Sequence, residues 1–132
     1  MILSDIAIKD IAYELVMQSP LSSMIEGKVY KGNRPMNSDS EDIDINVLTN
    51  DAAQTQEATL NINLFVKDEN GRYGSVEDTK RLRELADECI SLLESKMFEG
   101  LWFSLESQRV MAVDGVDFHF INNKVTVKCY TV

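Results

Sequence analysis

The sequence predicts an α+β fold, in which a mostly antiparallel β-sheet carries two amphipathic helices packed on one face. Two segments, 4–19 and 75–100, repeat apolar residues at the three- and four-residue spacing of a one-sided helix. The segments between and after them alternate apolar with polar residues, which is typical of half-buried strands. The elements follow the order α-β-β-β-α-β-β-β, and residues 1–132 have the length of a single domain.

The composition favours a protein that binds neither nucleic acid nor a membrane. A formal net charge of -9 opposes binding to phosphates, which needs clustered Lys and Arg. The N-terminal residues include no basic segment of a signal peptide, and no apolar run reaches membrane-spanning length. Cys89 and Cys129 lie on the apolar sides of their segments, so we expect reduced core thiols, with a bridge between them as the alternative. We therefore expect a protein kept in a reducing cytoplasm.

The first third of the chain predicts a helix, a short extended piece and a loop. Ser4 and Asp5 can cap a helix that ends before Pro20, because the residue preceding a proline leaves helical geometry. Residues 27–30 favour an extended conformation. Residues 31–42 are rich in Gly, Asn, Pro, Asp and Ser, so we expect a loop there.

Two strands are predicted before the second helix. Residues 43–48 and 57–66 both alternate aliphatic with polar side chains, so each should have one buried face. Residues 68–74 then form a connector of turn-forming residues.

The segment Ser75 to Gly100 predicts the long helix around which the chain is organised. Ser75 can cap its first turn, and Gly100 can stop it. Its apolar stripe consists of Leu82, Ala86, Cys89, Leu93 and Met97. A helix with one apolar stripe needs an apolar surface to cover, and the predicted sheet supplies it.

The last third predicts strands that reverse direction at two turns. The alternating segments are 101–106, 110–113, 116–121 and 125–130. Asp114 and Gly115 suit a two-residue type I′ turn. Asn122 and Asn123 suit a further reversal before the last strand.

No group of residues predicts catalysis, a metal site or a cofactor. Asp39, Glu41, Asp42 and Asp44 gather in one loop, but the Gly and Glu of a calcium-binding loop are missing from their places, so we interpret these carboxylates as solvated. His119 is the single histidine, which excludes a site built from paired histidines. No Ser or Cys lies in a nucleophile motif. We expect no enzyme activity.

The sheet face opposite the helices, called the outer face below, is the candidate interaction surface. We expect Phe118 and Phe120 on the helix side of their strand, which leaves His119 on the outer face. The other expected outer-face residues of apolar or aromatic character are Phe65, Trp102, Ile121 and Tyr130. Mixed aromatic and polar surfaces are common where proteins meet proteins. Scattered exposed apolar residues without a role are the alternative.

The succession of elements resembles the tail terminator and tail-completion proteins of long-tailed bacteriophages and the related neck proteins. The elements that carry the resemblance are the N-terminal helix, the segment 27–35, the strands 43–48 and 57–66, the helix 76–97 and the closing strands. It covers nearly the whole chain. One departure is Glu41-Asp42 ahead of the second strand, where many relatives have a proline.

The resemblance implies a structural assembly protein of a phage or prophage, without catalysis. Such proteins form a ring, usually of about six copies, that caps the tail tube and offers a surface to the head connector. Residues 31–56 would then reach neighbouring copies, with Arg34 and Asp44 as candidate contacts. The partners would be further copies of the chain, tail-tube proteins and connector proteins, met in the host cytoplasm and then in the virion neck. The alternative is a small regulatory or adaptor domain that binds a peptide or another protein.

Overall fold

The computed structural model describes residues 2–130. Its elements are the helices α1 (Asp5–Met17), α2 (Leu21–Met24) and α3 (Thr79–Leu93), and the strands β1 (Val29–Tyr30), β2 (Ile43–Asp51), β3 (Gln56–Lys67), β4 (Glu69–Gly71), β5 (Gly74–Val76), β6 (Lys96–Phe98), β7 (Leu101–Ala112) and β8 (Phe118–Cys129). The main sheet has the strand order β1-β2-β3-β8-β7-β6, and β4 and β5 form a second sheet. The pair β1–β2 is parallel and the other pairs are antiparallel, so the predicted α+β class is confirmed.

Both long helices contribute to one hydrophobic core on one face of the main sheet. The buried helix residues in this core are Ile8, Ala12, Leu15 and Val16 of α1 and Leu82, Leu85, Cys89, Leu92 and Leu93 of α3. They pack against the buried alternate residues of β3, from Ala58 to Val66, as the alternation predicted. The predicted cap of α1 is confirmed, because Oγ of Ser4 accepts a hydrogen bond of 3.1 Å from the Ala7 amide. Among the described residues, no helix is long and apolar enough to cross a membrane.

The helix α3 is shorter than predicted at both ends. Its cap is Asp78, whose Oδ1 accepts a 3.1 Å hydrogen bond from the Arg81 amide, whereas Ser75 lies in β5. The helix ends at Leu93, so Met97 falls in β6 and is half exposed rather than in the apolar stripe. Gly100 does not stop the helix. It forms the turn between β6 and β7 with Glu99, and φ is positive at both, as a type I′ turn requires.

The closing strands are longer and fewer than predicted. β7 is continuous apart from an irregularity between Leu105 and Ser107, and residues 113–117 connect it to β8 in place of a two-residue turn. The predicted reversal at Asn122-Asn123 is wrong, because β8 runs straight through it. Asn123 is buried there, and its Nδ2 donates to the Ile62 carbonyl at 3.0 Å. This hydrogen bond to the neighbouring strand satisfies the buried side-chain amide, so an asparagine, which otherwise favours turns, is stable within a strand here.

The two cysteines are free and buried, as predicted. Burial raises the pKa of the Cys89 thiol to about 12, so this thiol is neutral at physiological pH. Burial also raises the pKa of Cys129.

Candidate interaction surfaces

One end of the outer face is covered by aromatic rings and an arginine. Phe65 of β3 and Phe120 of β8 are register partners, and their ring centroids are 5.4 Å apart. The guanidinium of Arg34 lies 4.0 Å from the Phe65 ring centroid and 5.5 Å from that of Phe118. The loop that carries Arg34 therefore closes over this end of the sheet, and the cation faces the aromatic rings.

Asp42 holds this loop in place. It is 1% exposed, and its Oδ2 accepts hydrogen bonds from Nε of Arg34 at 3.0 Å and from Oγ of Ser38 at 2.5 Å. Its Oδ1 accepts from the Lys28 amide at 2.8 Å. The Arg34 side chain is 10% exposed. Arg34, a candidate contact for a neighbouring copy, is therefore already occupied within its own chain.

A second arginine anchors the preceding carboxylate. Nε and Nη2 of Arg81 donate to the two carboxylate oxygens of Glu41 at 2.9 and 2.6 Å, and Nη2 also bonds the Met24 carbonyl. The side-chain hydrogen bonds with Glu41 raise the pKa of Arg81 above its usual range. The pair joins α3 to the segment before β2. The interpretation of these carboxylates as solvated is wrong for Glu41 and Asp42, which are both buried.

The middle of the outer face is a ladder of asparagines. Nδ2 of Asn122 donates to Oδ1 of Asn61 at 3.1 Å and to Oδ1 of Asn63 at 2.7 Å. Asp44 is the register partner of Asn63 on β2, and its carboxylate accepts from the Gly32 amide at 2.7 Å. Asp44 is half-buried, so part of its side chain remains accessible on the β2 side of the outer face. The middle of the outer face is therefore polar, and its side chains form hydrogen bonds within the chain.

The far end of the outer face carries Trp102 and Tyr130. Trp102 is half-buried and pairs in register with Lys128, beside Glu57. Tyr130 follows β8 and is 55% exposed. These two residues therefore lie together at one end, whereas Phe65 and Arg34 lie at the other, along strands of about 12 residues.

Two predicted outer-face residues lie on the helix side instead. Ile121 is fully buried in the core, and His119 has the same direction because strand residues two apart share a face. Phe118 and Phe120, predicted to face the helices, occupy the outer face. The error follows from the false reversal at Asn122-Asn123, which hid the alternation that continues from Ile121 to Cys129.

His119 lies at the base of a projecting hairpin. Its Nδ1 is 2.6 Å from Oδ1 of Asp68, and the Asp68 amide donates to the Asp117 carbonyl at 2.9 Å. Asp68 has a side chain only 8% exposed and immediately precedes the hairpin. Within residues 2–130, no group of three or more His, Cys, Asp or Glu is placed to hold a metal ion.

The hairpin β4–β5, called the arm below, extends away from the main sheet. Every residue of Glu69–Val76 except Gly71 is exposed. The two-residue turn at its tip consists of Arg72 and Tyr73, and Tyr73 is 93% exposed. The Arg72 guanidinium lies 5.5 Å from the Tyr73 ring centroid. The sequence predicted a connector at 68–74 and a helix from Ser75, because short strands between glycines have the composition of a turn.

A groove of about 310 Å³ lies between α1 and the β6–β7 turn. Ile11 and Phe98, both half-buried, form its apolar part, and Asp10, Glu14 and Glu99 place exposed carboxylates around it. A second hollow of about 250 Å³ shares Phe98 with it and extends towards α2. We call the first hollow the α1–β6 groove.

Both edges of the main sheet are incompletely covered. β6 pairs with residues 101–103 of β7, and β1 pairs with residues 43–44 of β2. Within residues 2–130, the outer edges of segments 104–112 and 45–51 therefore have no strand beside them. Unpaired edges of this kind can pair with another chain.

Comparison with solved structures finds a chain of similar fold. The chain is similar in structure to a chain of the virion of a native gene transfer agent particle, with a TM-score of 0.61 and 12% sequence identity. The match covers 94% of this chain and 95% of the other. No protein-family model matches the sequence, and no curated protein matches it. At this identity the likeness shows a common fold alone.

Proposed function

We propose that the chain is a structural protein of a phage or prophage particle, which caps the tail tube as an oligomeric ring and joins it to the head connector without chemistry of its own. The observation that carries the proposal is the fold match to a virion chain over nearly the full length of both proteins. A match that covers 94% of one chain and 95% of the other extends beyond a shared core motif.

The uncovered edges support assembly of like subunits. The edges of segments 104–112 and 45–51 lie on opposite sides of the same sheet. Pairing the β7 edge of one copy with the β2 edge of the next would be a head-to-tail contact, which closes into a ring when the rotation per subunit is suitable. The irregularities in both edges, between Leu105 and Ser107 and between Val47 and Thr49, limit uncontrolled pairing.

The charge of the chain supports a passage for DNA. At -9 per copy, a ring of six would carry about -54, and a negative lumen repels the phosphate backbone. DNA would then pass without sticking to the wall.

Electron microscopy of particles made without this protein tests the proposal. We expect tails of uncontrolled length and heads that remain unjoined when the gene is deleted, with both defects repaired by expressing the chain in trans. Normal numbers of joined particles in the deletion strain would overturn the proposal.

Sedimentation of the purified protein, alone and with tail-tube protein, separates this proposal from the adaptor alternative. We expect a ring to form at least when the tail-tube protein is present, because some rings assemble only on their substrate. A monomer in both conditions that binds a peptide would favour the adaptor domain.

A further inference from the structure

The arm is poorly stabilised by its own chain. An isolated two-stranded hairpin is marginally stable in water, and the arm forms a sheet separate from the main one. Its base is fixed by Asp68, but its tip exposes Tyr73 almost completely. An aromatic ring held at the tip of a hairpin is the kind of anchor that fills a pocket at an interface.

The tip and the α1–β6 groove are complementary in charge and chemistry. The tip offers a tyrosine ring with the guanidinium of Arg72 beside it. The groove offers Ile11 and Phe98 to an apolar ring and three carboxylates to a cation. Asp10 already bonds Lys31 at 3.0 Å, so Glu14 and Glu99 are the carboxylates left for Arg72.

The arm cannot reach the groove of its own chain. It follows the end of β3, whereas the β6–β7 turn lies near the start of β3, because Gln56 and Leu101 both pair with Cys129. A 12-residue strand spans roughly 36 Å, and each strand of the arm, with three residues, spans only about 10 Å. The groove that the tip can enter therefore belongs to another molecule.

We propose that the arm of one copy docks in the α1–β6 groove of a second copy, with Tyr73 against Phe98 and Ile11 and Arg72 beside Glu14 and Glu99. The contact joins opposite ends of the two copies, so it is head-to-tail and suits a closed ring. This inference rests on the proposed function for the setting in which copies meet. It adds the contact that sets the relative orientation of neighbouring copies in the ring.

Disulfide capture between copies tests this contact. Ser75→Cys, on the exposed arm strand two residues from Tyr73, and Gln18→Cys, on the rim of the groove, leave the proposed contact residues in place. They are made as separate variants, mixed, and oxidised, both as purified proteins and in particles assembled in cells. The matched control pairs Ser75→Cys with Asp114→Cys, an exposed residue near the other end of the sheet from the groove. We expect cross-linked dimers from the first pair at several-fold the yield of the control.

A charge reversal separates specific docking from random collision. Arg72→Glu, placed in the Ser75→Cys chain, should lower the captured yield about five- to tenfold, and Glu99→Lys in the Gln18→Cys chain should restore much of it. Capture no greater than the control in both preparations, or an Arg72→Glu variant that captures normally, would overturn the inference. If rings form on tails but no cross-link between copies is captured, the arm–groove contact is overturned and the proposed function is not. Capture together with normal particles in the deletion strain would instead overturn the proposed function.

Discussion

The loop 31–42 and the arm have similar compositions and opposite structures. Both contain Gly, Asn and Ser, and the segments 31–42 and 68–74 were both predicted to be solvent-exposed connections. The loop ends in Glu41 and Asp42, which are buried and paired with arginines, whereas the arm exposes its tip to water. The difference lies in the partners. Arg34 and Arg81 form ion pairs with the buried carboxylates of the loop. The arginine at the arm tip, Arg72, contacts only the ring of the adjacent Tyr73 among the aromatic and acidic contacts described above.

This comparison separates order that a chain supplies from order that a partner must supply. A buried carboxylate needs a cation and several hydrogen-bond donors, and Asp42 has all of them within its own chain. The arm has an anchored base and an exposed tip formed by Arg72 and Tyr73. Substitutions of the buried residues of the loop should therefore lower stability, and substitutions at the arm tip should lower assembly instead.

Among the substitutions that probe the loop and the arm, Asp42→Ala should have the largest effect on folding. It leaves the buried guanidinium of Arg34 without its carboxylate and the Lys28 amide without its acceptor, so we expect a loss of about 4 kcal/mol in the free energy of unfolding. Urea denaturation of the purified variant measures it. Asp39→Ala, an exposed aspartate of the same loop, is the matched control and should change stability by less than about 0.5 kcal/mol. Equal effects of the two variants would mean that the Asp42 network does not hold the loop.

Gly27→Ala should have the second largest effect of the substitutions that probe the loop and the arm. A Cβ at this position would lie 2.0 Å from Oδ1 of Asp42 and 2.5 Å from the Glu41 carbonyl oxygen, so the buried carboxylate must move. We expect a loss of about 2–3 kcal/mol in the free energy of unfolding, again by urea denaturation. The loss should be smaller in an Asp42→Ala background, where the side-chain clash is gone. Additive losses would contradict the clash as the cause.

The sequence was sufficient for the class of fold because periodicity depends on local residues. The one-sided spacing of α1 and the alternation of β3 are visible without knowledge of any partner. Long-range partners were not visible. Asn123 stays in a strand because of Ile62, and Glu41 is buried because of Arg81, 40 residues away. The candidate site suffered most, since one misplaced turn reversed the direction of His119 and Ile121.

His119→Ala should have a moderate and local effect. It removes the contact with Asp68 at the base of the arm, so we expect a loss of about 1 kcal/mol in the free energy of unfolding. The local effect should be larger than the global one. Hydrogen exchange should show faster exchange of amides 69–76 and little change in the loop 31–42. Unchanged exchange in the arm would show that Asp68 is held by its backbone bond alone.

Tyr73→Ala should have the smallest effect on folding, even though it removes a large aromatic side chain. Tyr73 is 93% exposed and Phe103 is fully buried, so the two residues form a matched pair of aromatic truncations. We expect Phe103→Ala to cost about 3–5 kcal/mol and Tyr73→Ala to stay within about 0.5 kcal/mol in urea denaturation. The order should be reversed for association, because a tip without its ring loses the anchor of the proposed contact. A clear loss of stability in Tyr73→Ala would mean that the tip packs against its own chain, and the arm would then resemble the loop rather than oppose it.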